Sequence, residues 1–267
     1  MEELSDVRYD VEEGLAWITI DRPERMNAFR ARTVDELIRC FKRAWASPEV
    51  GVVSLTGAGE RAFCTGGDQK QRAETGDYGP SESGLFEVEH LHRLIREIPK
   101  PVVAAVNGYA IGGGHVLHLL CDLTIAAETA RFGQTGPRVG SFDAGFGTAY
   151  LARVVGEKRA REIWFLCRQY DAQTAERWGL VNRVVPAPEL RQEVRRWADE
   201  MLQLSPTALR FLKQSFNADT EHITGLGQLA FSGLGLFVES DEAQEGVRAF
   251  TEKRPPDFSP YRARVSA

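Results

Sequence analysis

No two cysteines in this sequence lie close enough along the chain to form a redox pair or to share a metal with the usual ligand spacing. The four of them, Cys40, Cys64, Cys121 and Cys167, stand far apart and mostly inside apolar stretches. They read as reduced core residues, with a nucleophilic thiol as the outside reading, and no metal site is expected. Long hydrophobic runs are missing too: none reaches the roughly 18–20 residues that a membrane span needs. The opening Met1-Glu-Glu-Leu-Ser-Asp is acidic and polar, without the basic and apolar regions of a secretory signal. A cytoplasmic protein with no membrane partner is expected. Positive charge is not in excess, since 33 Lys and Arg stand against 38 Asp and Glu for a net −5, which argues against a nucleic-acid partner. Neither phosphate-loop spacing, GxGxxG or GxxxxGK[ST], occurs, and there is no internal repeat or low-complexity segment.

What is present is ordinary for a folded chain: 267 residues, 43% hydrophobic and 27% charged, suffice for one large domain with or without an appendage. Leu15 to Ile20 (LAWITI) reads as a strand, and Thr33 to Ala46 carries Val34, Leu37, Ile38, Phe41 and Trp45 at helical spacing. A strand is expected at Val52 to Leu55, a loop from Gln69 to Gly84, and a helix from about Leu85 to Ile98. A buried strand follows at Pro101 to Val106, then a helix opened by Gly112-Gly-Gly, then a strand from Leu123 to Ala126. Alternating strands and helices predict an α/β core with helices outside. Beyond about Glu157 the pattern turns helical, with segments at Lys158 to Cys167, Asp171 to Trp178, Pro188 to Leu204, Thr207 to Ala218 and Gly225 to Phe237. Arg254-Pro-Pro-Asp-Phe-Ser-Pro is then a proline-limited, extended tail.

Two glycine clusters each follow a strand: Ala62-Phe-Cys-Thr-Gly-Gly-Asp, and Gly108-Tyr-Ala-Ile-Gly-Gly-Gly-His, the second entering a helix. Glycines strip side chains from a place where backbone must approach something closely, and a helix start leaves N–H donors unpaired in the positive field of the helix dipole. Either cluster alone could be a tight turn; two together can hold one developing oxyanion. In family order with Arg22-Pro-Glu-Arg-Met-Asn-Ala-Phe and Asn107-Gly-Tyr-Ala-Ile-Gly-Gly-Gly, they resemble the crotonase (enoyl-CoA hydratase/isomerase) superfamily over nearly the whole chain. The resemblance implies a spiral of ββα units in residues 1–200, holding CoA and the active site. It also implies a helical region in residues 201–267 that builds a homotrimer or homohexamer. It assigns the oxyanion-hole amides to Gly67 and Gly113, makes an acyl-CoA the substrate, and puts Arg25 near the CoA phosphates, where a solvated surface arginine is the competing reading.

Hydratases of the family add water with two glutamates, one after the glycine triplet and one after Phe-Gly-Gln. Val116 and Gly136 stand at those positions, so an ordinary hydratase is not expected. The long run Phe132-Gly-Gln-Thr-Gly-Pro-Arg-Val-Gly-Ser-Phe-Asp, together with Arg161-Glu-Ile-Trp-Phe-Leu-Cys-Arg-Gln-Tyr-Asp and Lys253-Arg-Pro-Pro-Asp-Phe-Ser, looks like a branch of the family, the 1,4-dihydroxy-2-naphthoyl-CoA synthases of menaquinone biosynthesis. These close a ring by intramolecular Claisen condensation of o-succinylbenzoyl-CoA. The resemblance implies Asp143 and Ser141 as catalytic residues, and a bicarbonate base held by Gln134, Thr135, Gly136 and Trp164. It further implies Lys70, Arg72 and Lys253 as contacts to substrate or CoA, and Tyr78 as an active-site phenol. For Asp143 a capping role competes, for Trp164 a core position, and for Lys70, Arg72 and Tyr78 a solvated loop; His115 and His118 read as packing residues. One departure is Val238, where the branch carries a tyrosine contributed across a subunit boundary. Ser205-Pro-Thr-Ala-Leu and Ser215-Phe-Asn-Ala-Asp-Thr-Glu-His also fit ring-opening β-keto-acyl-CoA hydrolases such as those acting on 2-ketocyclohexanecarboxyl-CoA. A crotonase-fold binding protein that has lost catalysis is the reading from a different class.

Overall fold

The computed structural model describes residues 4–143 and 145–265. The chain opens with a hairpin of β1 (Val7–Glu12) and β2 (Leu15–Ile20), paired antiparallel from Val7↔Ile20 to Glu12↔Leu15. Its two-residue turn has both Glu13 and Gly14 at positive φ, 44° and 85°, the mirror-image turn that matches strand twist. After helix α1 (Ala31–Ala46), strand pairs alternate with helices. These are β3 (Val52–Gly57) and β4 (Ala62–Cys64) with α2 (Gln69–Thr75) and α3 (Val88–Glu97), then β5 (Val102–Val106) and β6 (Tyr109–Ile111) with α4 (Gly113–Leu120), then β7 (Leu123–Ala127) and β8 (Arg131–Gly133) with α5 (Phe146–Val155) and α6 (Glu157–Leu166). In each pair the first strand joins a six-stranded sheet and the second a four-stranded one. The orders are β1-β2-β3-β5-β7-β10 and β4-β6-β8-β9, with β9 (Gln169–Asp171) and β10 (Arg183–Val185) at the edges and α7 (Ala172–Arg177) between them. Each ββα unit therefore adds one parallel strand to both sheets, and the chain advances as the expected spiral.

The inner strands of the large sheet are covered on both faces, which is why LAWITI is buried throughout rather than alternating. Ala16, Ile18 and Ile20 face the main core with Val34, Leu37 and Phe41 of α1 and Leu91 and Ile95 of α3. Leu15 and Trp17 face a second cluster closed by Leu190, Val194 and Ala198 of α8 (Leu190–Leu202). Three further helices follow: α9 (Pro206–Ala218), α10 (His222–Phe237) and α11 (Asp241–Thr251). Lys213 of α9 is buried, its Nζ 2.7 Å from Asp122 Oδ2 and donating to the Ile95 and Lys100 carbonyls, which ties this region to the spiral.

The expected loop from Gln69 to Gly84 begins instead with α2, because Asp68 caps it by accepting from the backbone amides of Lys70 and Gln71. The helix α11 has no counterpart among the sequence expectations; Ser240 caps it. The short strands of the small sheet were also not anticipated, being only three residues each. No helix among the described residues is long and apolar enough to cross a membrane.

Candidate active site

The two glycine clusters meet at the ends of β4 and β6. Phe29 bridges to Gly67 as a parallel pair, with the Phe29 amide donating to Gly66 O (2.8 Å) and the Asp68 amide donating to Phe29 O (2.8 Å). In that pattern the amide of Gly67 is turned away from Phe29 and left without a ladder partner. Gly113 is the first residue of α4, so its N–H is one of the four that a helix start leaves unbonded. A Cβ on Gly66 would lie 2.8 Å from Gly113 N, one on Gly113 would lie 2.7 Å from the Phe29 ring, and one on Gly114 would lie 1.9 Å from Cys64 O. Each turn needs a glycine, at Gly66 and at Gly114, because backbone abuts backbone there, and the Gly67 and Gly113 amides stand on adjacent segments without a partner among the described residues.

The Arg-Pro-Glu-Arg-Met-Asn motif holds this arrangement in place. Buried Arg22 pairs with Asp68 at 2.9 Å, fixing the residue that follows Gly67. Met26 and Asn27 both take left-handed backbone, φ 55°, and the fully buried Asn27 side chain donates to Ala58 O (2.9 Å) and Ala62 O (2.7 Å) while accepting from the Arg22 amide (3.0 Å). Arg22, Asn27, Phe29 and Asp68 were not singled out from the sequence as site residues. Asp68 was legible as a helix cap, three residues ahead of Gln71, but its pairing with Arg22 spans the fold.

A cavity of about 1000 Å³ opens over the amide pair. Gly67, Gly113, Asp143, Ser141, Tyr78, Gln134, Thr135, Gly136, Trp164, Arg25, Lys70 and Arg72 all line it. Lys253 does not. Past the end of α11 it takes left-handed backbone, φ 55°, and the chain turns into Pro255 and Pro256, so Lys253 borders a separate hollow of about 520 Å³ beyond Arg138, Val139 and Phe250.

Asp143 lines the same cavity as the glycine turns. Its Oδ1 accepts from the amides of Gly145 (3.1 Å) and Gly147 (3.0 Å), while Oδ2 receives no hydrogen bond among the described residues. Burial raises its pKa, against a lowering by the Gly147 and Gly145 amides. One oxygen thus serves the capping reading, and the other stands without a hydrogen bond among the described residues. Val116 packs beside it: a Cβ on Gly147 would meet both Asp143 Oδ2 and a Val116 methyl at 2.9 Å. The Tyr78 phenol lies against Gly67, its oxygen 2.8 Å from where a Cβ of Gly67 would be, and its ring stacks on Phe86 at 4.6 Å. Arg72 is buried; its Nη2 lies 3.4 Å from Gly140 O and its Nη1 has no partner among the described residues. Val238, at the end of α10, forms part of the wall of this chain's own cavity, where the resemblance implies a residue from a neighbouring subunit.

The four residues assigned to bicarbonate all line the cavity, and two of their side chains also have protein partners. The Trp164 indole N–H donates to Gly147 O at 3.1 Å, and the Gln134 amide nitrogen is 3.3 Å from His115 Nδ1. Gly136 faces backbone, since a Cβ there would lie 2.8 Å from Ser141 O. Of the three side chains, the Thr135 hydroxyl has no partner among the described residues, and the Gln134 amide nitrogen carries a second N–H beyond the one facing His115. His115 and His118 are fully buried, and burial lowers His115 to about 3 and His118 well below its usual value. His118 Nδ1 is 3.3 Å from Thr124 Oγ1, so the pair forms a neutral buried chain behind Gln134. Burial pushes Cys40 and Cys64 up to about 12 and raises Cys121 and Cys167, which removes the nucleophilic-thiol reading. Among the described residues no cluster of His, Cys, Asp and Glu is arranged to hold a metal.

Comparison with known proteins agrees with this geometry. Residues 10–260 match the enoyl-CoA hydratase/isomerase family model. An enoyl-CoA hydratase from Mycobacterium avium subsp. paratuberculosis superposes with a TM-score of 0.85 at 30% identity, covering 96% of this chain and 100% of its own. A carnitinyl-CoA hydratase from Mycobacterium avium gives 0.84 at 30% identity, covering 96% and 98%. A monofunctional enoyl-CoA isomerase from M. smegmatis gives 0.70 at 33% identity, covering 81% and 94%. With two unpaired glycine amides over an acyl-sized cavity and a family match along almost its whole length, the chain belongs to the enoyl-CoA hydratase/isomerase family.

Proposed function

We propose that the protein makes or breaks a carbon–carbon bond beside a CoA thioester through its enolate, in the manner of 1,4-dihydroxy-2-naphthoyl-CoA synthase. The observation that carries this reading is Asp143: a carboxylate with its pKa raised by burial and one free oxygen, in a cavity whose hydratase positions hold Val116 and Gly136. The thioester oxygen rests between the Gly67 and Gly113 amides, which stabilise negative charge as the α-carbon loses its proton to Asp143. The enolate carbon then attacks the carboxylate carbon of the aromatic ring in o-succinylbenzoyl-CoA, and one of that group's oxygens leaves as water. The two protons it needs come from Asp143, which gives up the one it took from the α-carbon, and from Tyr78, which solvent reprotonates; Ser141 steadies the attacked group, and buried Arg72 pairs with the carboxylate before attack. Arg25 and Lys70, on the cavity rim, meet the CoA phosphates. The reading needs no bicarbonate, since the base is a side chain of this protein.

A second reading is favoured by Val238. An apolar wall where the synthases carry a phenol suits the reverse direction, in which water attacks the ketone of 2-ketocyclohexanecarboxyl-CoA and the departing enolate is protonated by Asp143. Incubation with each thioester in carbonate-free buffer, followed by mass analysis, separates the two. Ring closure with loss of water supports the first, ring opening with gain of water the second, and inertness toward both defeats the carbon–carbon reading. Activity that appears only on adding bicarbonate would return the base role to that anion.

The protein is further proposed to work in the cytoplasm as a homotrimer or a hexamer of two trimers. Free buried thiols suit a reducing compartment. The helices α9 and α10 present Phe216 (75% exposed), Leu229 (73%) and Leu236 (77%) to solvent in the isolated chain, more apolar surface than a monomer normally leaves uncovered.

A further inference from the structure

A row of hydrogen bonds that begins at Arg22 ends at the Gly67 amide. A peptide unit is planar and trans, so its C=O and N–H point in opposite directions. The N–H of Gly67 shares its unit with the carbonyl of Gly66, which accepts from the Phe29 amide at 2.8 Å. The N–H of Phe29 in turn shares its unit with the carbonyl of Ala28, which accepts from Nη1 of Arg22. One guanidinium N–H therefore heads a row of two peptide units whose last N–H is the oxyanion donor. The other side of Gly67 is anchored in a similar way. The Asp68 amide donates to Phe29 O at 2.8 Å, the Arg30 amide to Thr33 Oγ1 at 3.1 Å, and that hydroxyl to Asp6 Oδ2 at 2.6 Å. Both rows thus end on charges that also hold each other: Arg22 pairs with Asp68 at 2.9 Å and lies 3.6 Å from Asp6, and Asp6 accepts two bonds of 2.8 Å from Arg30. Asp6, Arg22 and Asp68 are all buried. A buried ion cluster is often no more stabilising than apolar packing of the same volume, so stability does not explain it; fixed direction and charge do.

We infer that Arg22 is a positioning residue for the enolate step: its guanidinium fork aims the Gly67 N–H and, through the two peptide units between them, polarises it. The inference rests on the enolate reading and deepens it. Hydrogen bonds in series strengthen one another, by roughly 10–30% per bond, and a charged donor at the head of the row is stronger than a neutral one. Asp68 and Asp6 offset part of the guanidinium's field, but neither stands in the row itself, since Asp68 pairs with the other terminal nitrogen, Nη2. Gly113 gains its polarisation from the start of α4 instead, so the two donors of one site are strengthened by different means.

The test is the acidity of acetoacetyl-CoA in the presence of the protein, read from the ultraviolet absorbance of its enolate as the pH is raised. A 1,3-dicarbonyl thioester ionises without a catalytic base, so the measurement follows stabilisation of the enolate rather than proton transfer. The native protein should lower that pKa below its value in free solution. Arg22→Gln keeps an N–H for Ala28 O and removes the charge, and should raise the pKa by about one unit. It should also lower kcat for α-carbon exchange of 4-oxo-4-phenylbutanoyl-CoA in D₂O about 10-fold with KM nearly unchanged, short of the ~10²–10³-fold cost of losing a whole donor. Arg22→Lys, which keeps the charge without the fork, should fall between Arg22→Gln and the native protein. Val194→Ala opens a cavity in the second core cluster, on the opposite face of the large sheet, and should leave the pKa at the native value although the fold is weakened. Native values in Arg22→Gln overturn the inference, and so does a rise in Val194→Ala that matches it, since general loosening then explains both. Should Arg22→Gln not fold, Arg22→Lys decides, and a native pKa in that variant overturns the inference while leaving the enolate chemistry intact. A native protein that leaves the thioester's acidity at its free-solution value removes the enolate reading, and the inference with it.

Discussion

Asp143 holds its two oxygens in different surroundings, and in the proposed reaction the difference has a measurable consequence. Its Oδ1 is held by the Gly145 and Gly147 amides, while Oδ2 is free of hydrogen bonds among the described residues and its pKa is raised by burial. A base must be ionised to work, so kcat/KM should fall as pH drops through the raised pKa, placing the acid limb above the range of an ordinary aspartate. Asp143→Asn should abolish that limb and lower turnover about 10²- to 10⁴-fold, with CoA binding retained. An unchanged pH profile in that variant would give the base role to another group. The sequence named Asp143 as a candidate through its resemblance to the synthases. It could not show that Gly147 and Val116 crowd the carboxylate, because that contact joins α5 to α4 across the fold.

Among the elements, the turn between β2 and α1 does more than its sequence suggests. Asn27 fastens it to the carbonyls of Ala58 and Ala62 on either side of β4's start, and Arg22 fastens it to Asp68 just past Gly67. Asn27→Ala leaves two buried carbonyls unpaired and should destabilise the fold by about 2 kcal/mol or more. In a domain of this size that is a fall in melting temperature of roughly 4–8 °C, measurable by calorimetry. The Gly67 amide is positioned through the same segment, so exchange activity should fall at temperatures where the variant is still folded. A variant as stable and as active as the native protein would show the turn to be a passive connection. The motif was recognisable as a string of residues; its role as a clamp was not, since all of its partners are distant in sequence.

For the whole molecule, the apolar surface on α9 and α10 sets the expectation. Phe216 and Leu229 stand open to solvent in the isolated chain, and α10 buries only Ile223 and Gly227 against its own subunit. Light scattering on the native protein should report three or six subunits. Leu229→Glu, which puts a charge on that surface, should shift the mass toward a monomer, whereas a monomeric native protein would refute the assembly. Because α10 also supplies Phe231, Leu234 and Val238 to the cavity wall, a dissociated variant should lose activity along with its assembly.

The sequence by itself determined the alternating α/β pattern and the two glycine turns, and through its resemblance to the family the spiral and most of the residues that gather at the cavity. The first two follow from local rules, strands buried on both faces and glycines where a Cβ cannot fit; the others rest on motifs kept in one order along the chain. Only the tertiary structure decided that Lys253 lies outside the cavity, that the Trp164 indole donates to a backbone carbonyl and Gln134 faces a buried histidine, and that a histidine unremarked in the sequence stands unpaired in the wall. The physical reason is the same in each case. A side chain's chemistry depends on which of its polar atoms find partners, and for Trp164, Gln134 and His92 those partners, or their absence, are set by helices and loops that meet only when the chain is folded.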